Sequence, residues 1–337
     1  MTARIKAIEY YLPDTVLDNA QLAEHFGDWS SEKILEKTGI AQRHIAAEGQ
    51  CSSDLAFEAA QQLFASQAVD RSEVDFVLLC TQSPDYFLPT TACVLQERLG
   101  IPTGTGALDF NLGCSGYVYG LGLAKGLIET GQARNVLFLT GETYSKYIHP
   151  DDRSVRTLFG DAGSATLVQA DDASSAIESI GPFVYGTDGN GANNLIVPSG
   201  ALRQSETEDK VIKDTFDNCR GPRNLYMNGA EIFTFTLRMV PVAVLAVMKK
   251  ANLSMEDIDL FVFHQANEFM LKHLRAKIGI PEAKFVISMG DVGNTVSSSI
   301  PIALKNCIDA GRIKEGSVIL LIGFGVGYSW GATILHW

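Results

Sequence analysis

An internal repeat constrains the fold of this chain more than any other feature of its sequence. At an offset of 180 residues, Gly113, Lys125, Ile128 and Gly131 align with Gly293, Lys305, Ile308 and Gly311. An apolar strand pattern follows each copy. We therefore expect two copies of one α/β unit, joined near residues 170 to 180, with a boundary between 1–172 and 173–337. Strand-helix-strand crossovers favour mostly parallel sheets with helices on their faces.

The stretch 107–126 predicts a buried strand, a tight turn and a helix in succession. The turn is Gly113-Cys114-Ser115-Gly116, and an apolar, glycine- and alanine-rich run follows it. This order places the Cys114 thiol at the N-terminus of a helix. Free backbone N–H groups and the positive end of the helix dipole favour a thiolate there. Cys114 is therefore the candidate nucleophile, while the other five cysteines fit a packing role.

Two polar residues of the second copy complete a candidate catalytic set. His264 directly follows the apolar segment 258–263, and Asn294 occupies the repeat position equivalent to Cys114. A lone histidine is commonly a core or surface residue, and a lone asparagine in a turn is commonly a cap. Taken together with the repeat, a thiolate, an imidazole and an amide donor suit carbanion chemistry on a thioester.

Charge and cysteine usage exclude several other classes of function. A net charge of −12 disfavours nucleic acid and anionic membranes as partners. The six cysteines show no metal-ligand spacing, so we expect no metal. The N-terminus lacks an apolar signal segment, and no run of 18 apolar residues occurs. These features predict a cytoplasmic protein without membrane insertion.

A glycine-rich segment at 323–328 superficially resembles a dinucleotide-binding loop. It lacks the spacing of that fingerprint, and a strand pattern follows it instead of a helix. We interpret it as a tight turn between strands that brings backbone N–H groups to a carbonyl oxygen.

Five segments together resemble β-ketoacyl-acyl-carrier-protein synthase III of the thiolase superfamily, over essentially the whole chain. They lie at 113–116, 159–165, 264–267, 293–295 and 323–330. The resemblance implies a thiolase-like five-layered α-β-α-β-α fold and a homodimer. It also implies a decarboxylative Claisen condensation of an acyl group, from acyl-CoA or an acyl-carrier-protein thioester, with malonyl-acyl-carrier-protein. The pathway would be fatty acid or related secondary-metabolite biosynthesis, and the substrates would be thioesters with no bound cofactor.

The resemblance also assigns roles to individual residues. Cys114 would take the acyl group, His264 and Asn294 would stabilise the malonyl-derived enolate, and the backbone N–H groups of Cys114 and Val326 would form the oxyanion hole of the acylation step. Further substrate contacts would come from Lys33, Lys37, Leu88, Arg153, Met227, Gly229, Phe233, Ala266, Asn267 and Phe324.

Some positions depart from the pattern of that family. Lys33 and Lys37 stand where the family has a tryptophan and an arginine at the CoA adenine, whereas Arg153 is retained. Leu88 stands where a phenylalanine often reaches into the partner's acyl tunnel, and Val326 replaces a glycine. We therefore expect an altered grip on the CoA adenine, with the phosphates held electrostatically.

Other activities within the superfamily remain open at this point, and so does a scaffold without activity. A plain acyltransferase would not need both His264 and Asn294, and a scaffold would not need the nucleophile and the histidine. A related condensing enzyme that forms ketones or quinolones would need the same residues, so the sequence does not separate it from the first hypothesis.

Overall fold

The computed structural model of the protein describes residues 1–171, 178–205 and 210–337. The predicted boundary at 172/173 lies outside the described residues. The helices are α1 Asn19–Phe26, α2 Ser31–Thr38, α3 Ser52–Ala65, α4 Thr91–Arg98, α5 Gly116–Glu129, α6 Arg153–Arg156, α7 Gly229–Ala251, α8 Glu268–Ile278 and α9 Ser299–Asp309. The strands are β1 Thr2–Tyr11, β2 Thr15–Asp18, β3 Gln42–Ile45, β4 Phe76–Cys80, β5 Gly106–Phe110, β6 Asn135–Glu142, β7 Ala162–Asp171, β8 Ile180–Thr187, β9 Leu195–Ile196, β10 Ile212–Lys213, β11 Cys219–Arg220, β12 Tyr226–Met227, β13 Leu260–Phe263, β14 Val318–Gly325 and β15 Ser329–His336.

Two mixed sheets form the framework of the molecule. The first has five strands in the order β1-β7-β6-β4-β5, and the second has four in the order β13-β14-β15-β8. The pairs β4–β5, β4–β6 and β13–β14 are parallel, whereas β1–β7, β6–β7, β14–β15 and β8–β15 are antiparallel. The expectation of mostly parallel sheets is therefore wrong. A turn as short as the one that joins β14 to β15 cannot make a parallel crossover, which needs roughly a dozen residues or more.

Helices and sheets alternate in five layers, as predicted for a thiolase-like fold. Helices α3 and α4 pack on the outer face of the first sheet, and α7 packs on the outer face of the second. Helix α5 contacts strands of both sheets, and α9 joins it in the central layer. Three buried clusters, which consist almost entirely of aliphatic and aromatic side chains, hold the layers together.

The repeated segments form equivalent helices in that central layer. Helix α5 ends before Gly131, which has φ 76°, and α9 ends before Gly311, which has φ 65°. Both glycines occupy the left-handed conformation that commonly terminates a helix and favours glycine. The prediction of two similar copies is thus confirmed, and it accounts for the positions of Cys114 and Asn294 at matching ends of the two helices.

Helix α7 is the one described helix that is long and apolar enough to cross a membrane. Its buried side chains, among them Phe235, Val240 and Val247, pack within the cluster at the second sheet. It contains Pro241 and continues through it. The helix therefore fits a role as a core element of this fold.

Candidate active site

Cys114 lies in the tight turn between β5 and α5, two residues before the helix begins. The N–H of Gly116 donates to the carbonyl of Gly113 at 2.8 Å and closes the turn. A Cβ on Gly116 would lie 2.2 Å from the sulfur of Cys80, so only glycine fits there. The close packing of β4 against this turn fixes where the Cys114 backbone stands.

The Cys114 thiol is neutral in the resting protein, contrary to the thiolate expected from the sequence. Cys114 is 6% exposed. Burial raises the pKa of its thiol to about 12, and the negative charge of Glu142 adds to the rise. Desolvation therefore outweighs the favourable effect of the nearby helix end.

Glu142, which our sequence interpretation missed, is a buried carboxyl at the end of β6. Its oxygens accept hydrogen bonds from the Ser297 hydroxyl at 2.6 Å and from the backbone N–H of Gln82 at 3.1 Å. Burial raises the pKa of this carboxyl to about 8, although these hydrogen bonds oppose the rise. A glutamate in the otherwise apolar pattern of β6 was the available signal. Glu142 connects the first sheet to the turn that carries Asn294.

His264 follows β13 and is almost fully buried, at 2% exposure. Its Nδ1 lies 2.7 Å from the hydroxyl of Ser299, and its ring meets Phe324 edge to face at 5.6 Å between centroids. Burial lowers the pKa of the imidazole to about 3, so the ring is neutral. Nε2 has no hydrogen-bond partner among the described residues.

Asn294 is held by backbone and side-chain hydrogen bonds at a crossing of two chain segments. Its N–H donates to Leu158 at 2.8 Å, and its carbonyl accepts from Gly160 at 3.0 Å. The side-chain oxygen accepts the N–H of Val296 at 3.0 Å, which settles the orientation of the amide. The amide nitrogen is therefore left as a donor with no partner in the described part of the chain.

Contacts of β14 and of Val296 bring Cys114, His264 and the turn that carries Asn294 to one place. A Cβ at Gly325 would lie 2.8 Å from Cys114 Cβ and 3.0 Å from its sulfur. Phe324, the preceding residue, touches His264. On the other side, a Cβ at Gly113 would lie 3.1 Å from a methyl group of Val296. The ends of β13, β14, α5 and α9 thus converge at the site that the sequence predicted.

The glycine-rich segment forms the tight turn between β14 and β15 that was expected. The hydroxyls of Ser115 and Ser329 lie 2.7 Å apart, and Ser329 also donates to the carbonyl of Val326 at 2.9 Å. These bonds fasten the turn to the start of α5. Val326 therefore stands next to the segment that carries Cys114.

A cavity of about 830 Å³ opens beside this turn. Its walls are mainly apolar and aromatic, and Gln82 lies where the cavity approaches the Gly113 turn. The lining includes Tyr144, Tyr147, Leu195, Val197, Leu225 and Val326. Tyr144 also packs on Phe159, with ring centroids 5.2 Å apart. Cys114 does not itself line the cavity, and Val326 and Gln82 are the lining residues that stand next to its turn.

The predicted cations at the CoA position surround a tryptophan that our sequence interpretation missed. The ammonium groups of Lys33 and Lys37 lie 5.0 and 5.4 Å from the centroid of the Trp29 ring. The guanidinium of Arg153 lies 5.8 Å from it and pairs with Asp28 at 2.5 Å. Trp29 lies two residues before α2 and four before Lys33, and this closeness in sequence was the available signal.

The remaining predicted substrate residues take three different positions. Met227, Gly229 and Phe233 lie at β12 and the first turns of α7, where Phe233 stacks on Phe269 at 5.7 Å. Ala266 follows His264 closely, and Asn267 caps α8 by accepting from Met270. Leu88 is 86% exposed and does not line the cavity of its own chain. Among the described residues, no group of three or more His, Cys, Asp or Glu is arranged to hold a metal ion.

Two family models match the chain. The model for 3-oxoacyl-[acyl-carrier-protein] synthase III matches residues 108–189, and the model for the C-terminal part of that family matches residues 248–337. A curated relative, the β-ketoacyl-[acyl-carrier-protein] synthase III of Caldanaerobacter subterraneus subsp. tengcongensis, is 35% identical over 97% of this chain and 95% of its own length.

Solved structures resemble the whole chain. A 3-oxoacyl-(acyl-carrier-protein) synthase III crystal structure matches with a TM-score of 0.98 at 55% identity, covering 100% of both chains. The 3-oxoacyl-(acyl-carrier protein) synthase from Burkholderia xenovorans LB400 matches with a TM-score of 0.90 at 36% identity, covering 100% of this chain and 94% of the other.

Proposed function

Because the chain belongs to the β-ketoacyl-acyl-carrier-protein synthase III family, we propose that Cys114, His264 and Asn294 divide the family's condensation reaction between them. The protein is an acyltransferase of the condensing type in fatty acid biosynthesis. The assignment of residues rests on one observation above all. Two side-chain nitrogens without described protein partners, His264 Nε2 and Asn294 Nδ2, stand at the site that holds a buried thiol.

The first half-reaction transfers the acyl group to Cys114. The sulfur attacks the thioester carbonyl carbon, the bond from that carbon to the CoA sulfur breaks, and CoA leaves with the proton of the thiol. Negative charge develops on the carbonyl oxygen, where the backbone N–H groups of Cys114 and Val326 stabilise it. The contact between Gly325 and Cys114 supports this placement. The apolar cavity beside Val326 then receives the acyl chain.

The second half-reaction uses the two side-chain donors. The bond between the carboxylate and the central carbon of the malonyl group breaks, carbon dioxide leaves, and the electron pair forms an enolate. The N–H groups of His264 and Asn294 hold the enolate oxygen. The enolate carbon then attacks the acyl carbonyl, and a carbon–carbon bond forms. The bond from the acyl carbon to the Cys114 sulfur breaks, and the released thiolate takes a proton from water.

Acyl-CoA is the proposed donor, and it is held at Trp29, Lys33, Lys37 and Arg153. The two lysines are exposed and can attract phosphate groups. Trp29 supplies an aromatic surface next to them. This surface compensates for the tryptophan that the family has at the position of Lys33. Malonyl-acyl-carrier-protein is the proposed second substrate. No bound cofactor enters either half-reaction.

The protein is proposed to form a homodimer. Strand β5 is at the edge of the first sheet, and Leu108 on it is 45% exposed. The nearby loop exposes Tyr86, Phe87 and Leu88 at 61, 81 and 86%. Edge strands and apolar loops of this kind favour burial against another chain. Leu88 would then reach the partner's cavity. All six cysteines are free, which fits a reducing cytoplasm.

An experiment on Asn294→Ala separates the two half-reactions. We expect the variant to form the covalent acyl adduct from acyl-CoA, seen as an intact-mass increase, and to release carbon dioxide from malonyl thioester about a hundred- to thousand-fold more slowly. Cys114→Ala should lose the adduct and keep slow carbon dioxide release. Asn306→Ala, on the same helical layer but bonded to Tyr10 and Ser288, is the matched control.

The opposite result would overturn these roles. An Asn294→Ala protein that cannot be acylated but still decarboxylates at the normal rate places Asn294 in the first half-reaction. Acylation without any carbon dioxide release from the unaltered protein would instead indicate a plain acyltransferase.

A further inference from the structure

The condensation described above uses Nε2 of His264 and gives no role to the residue at Nδ1. That residue is Ser299, the first residue of α9. Its hydroxyl oxygen lies 2.7 Å from Nδ1, and both residues are 2% exposed. This hydrogen bond is therefore out of contact with bulk water. In such a buried environment, each polar hydrogen must have an acceptor.

The hydrogen bonds around Ser299 determine which group donates. Its oxygen also lies 3.4 Å from the backbone N–H of Gln265, and that group can only donate. Within the described residues, Nδ1 of His264 is the only acceptor at hydrogen-bond distance from the Ser299 hydroxyl. If Nδ1 carried a proton, the hydroxyl hydrogen would be buried with no acceptor, which is unfavourable. The hydroxyl therefore donates, and Nδ1 accepts.

A neutral imidazole that accepts at Nδ1 carries its proton on Nε2. The ring is neutral because burial lowers its pKa to about 3. The N-terminus of α9, where Ser299 lies, has the positive end of the helix dipole and further disfavours an imidazolium.

We propose that Ser299 is a positioning residue that holds His264 in the Nε2–H tautomer, so that the imidazole donates to the thioester oxygen and does not accept. This inference rests on the proposed role of His264 in decarboxylation. In the opposite tautomer, Nε2 would present a lone pair to the enolate oxygen and repel it. The same hydrogen bond fixes the rotation of the ring about its Cβ–Cγ bond. One hydroxyl thus sets both the chemical form and the direction of the donor.

The tautomer is measured directly from the ¹⁵N chemical shifts of His264 in the full-length protein. We expect a pyridine-like Nδ1 and a pyrrole-like Nε2 in the unaltered protein, and a mixture of the two forms in Ser299→Ala. Ser299→Thr keeps the hydroxyl and should restore the original pattern. A purely structural role of Ser299 would not move these signals.

The same variants are compared in the two half-reactions. Ser299→Ala removes the hydrogen bond that orients the imidazole ring. Because part of the protein would also lose the Nε2–H tautomer, we expect Ser299→Ala to release carbon dioxide from malonyl thioester at least about tenfold more slowly. Acylation of Cys114 should stay within about twofold, and Ser299→Thr should decarboxylate near the normal rate. Ser298→Ala is the matched control, because that hydroxyl bonds to Thr140 and Ala162 and not to His264.

Two results would overturn the inference: a proton on Nδ1 in the unaltered protein, or Ser299→Ala decarboxylating as fast as Ser299→Thr. If Ser299→Ala does not fold, the spectrum of the unaltered protein decides alone. A different result would contradict the proposed function. In that case His264→Ala would decarboxylate at the normal rate, while the unaltered protein would still show the Nε2–H form.

Discussion

The reactivity of Cys114 depends on the protonation of Glu142. The pKa of that carboxyl is raised to about 8, so it is mostly neutral below this pH and charged above it. Only the charged form raises the pKa of the Cys114 thiol. As pH rises through 8, the charge that appears on Glu142 opposes thiolate formation, so the gain in reactivity per pH unit is smaller than for an isolated thiol.

Glu142→Gln should therefore react faster at Cys114 above pH 8. We expect iodoacetamide to alkylate Cys114 of the variant and of the unaltered protein at similar rates at pH 6.5. Between pH 8 and 10, the alkylation rate of the variant should increasingly exceed that of the unaltered protein. The measurement is the alkylation rate by mass spectrometry of the Cys114 peptide. A rate ratio that is the same at all pH values would show that Glu142 does not act through its charge.

Trp29 should contribute to affinity for the nucleotide part of the acyl donor. Stacking of a base on an aromatic ring is worth about 1–3 kcal/mol, so Trp29→Ala should raise KM for acyl-CoA by about tenfold or more. Trp29→Phe should recover much of the loss. The control is an acyl-pantetheine donor that lacks the nucleotide, whose KM should not change. An equal rise of KM for both donors would contradict this role.

The contact of β14 with the nucleophile turn leaves no space for a side chain at residue 325. A Cβ there would lie 2.8 Å from Cys114 Cβ, closer than real Cβ contacts allow. Gly325→Ala should therefore displace the turn or the strand and slow acylation at least about tenfold, since small misplacements of a reacting group have large effects on rate.

Gly126→Ala is the matched control for that change. Gly126 lies in α5, and nothing lies within 4 Å of a Cβ built on it. We expect acylation at the normal rate and a free energy of unfolding higher by about 0.5–1 kcal/mol. Fast acylation by Gly325→Ala would show that the turn and β14 move apart readily.

The order of elements around the site was predictable, and the electrostatics were not. The 180-residue offset of the repeat and the residues of the turns predicted the positions of Cys114 and Asn294, because a repeat and a helix stop depend on local sequence. The neutral state of Cys114 depends on burial and on Glu142, which is 28 positions away in the chain. Likewise, Arg153 reaches Trp29 and Ser297 reaches Glu142 from distant segments, and no local pattern indicates these two contacts.

Assembly of the proposed dimer should depend on the free edge of the first sheet. Lysine at the exposed Leu108 on β5 would place a charge at the interface and oppose edge-to-edge pairing. We expect sedimentation equilibrium at micromolar concentration to give a dimer for the unaltered protein and a monomer for Leu108→Lys. Leu35→Lys, on α2 and equally exposed at 46%, should remain a dimer. A monomeric unaltered protein would contradict the assembly.

At the scale of the whole molecule, the chain is proposed to divide into an N-terminal and a C-terminal part. We propose that the parts meet near residue 172, since the first sheet uses strands within 2–171 and the second uses strands within 180–336. Their interface is the central layer of α5 and α9, and each part supplies catalytic residues at the end of its helix. Neither part holds a complete site.

The first half of helix α5, residues 116–121, is buried apart from Tyr119, because a sheet covers it on each of two sides. The backbone amides of that half can therefore reach solvent only when the two sheets separate, which exposes the apolar cluster of the central layer. Such amides exchange their hydrogens through global opening, while loops exchange through small local fluctuations. The segment that carries the nucleophile thus belongs to the last part of the protein to open. Catalytic competence should be lost together with the native state as a whole, in a single cooperative transition, and not by earlier loosening of the site.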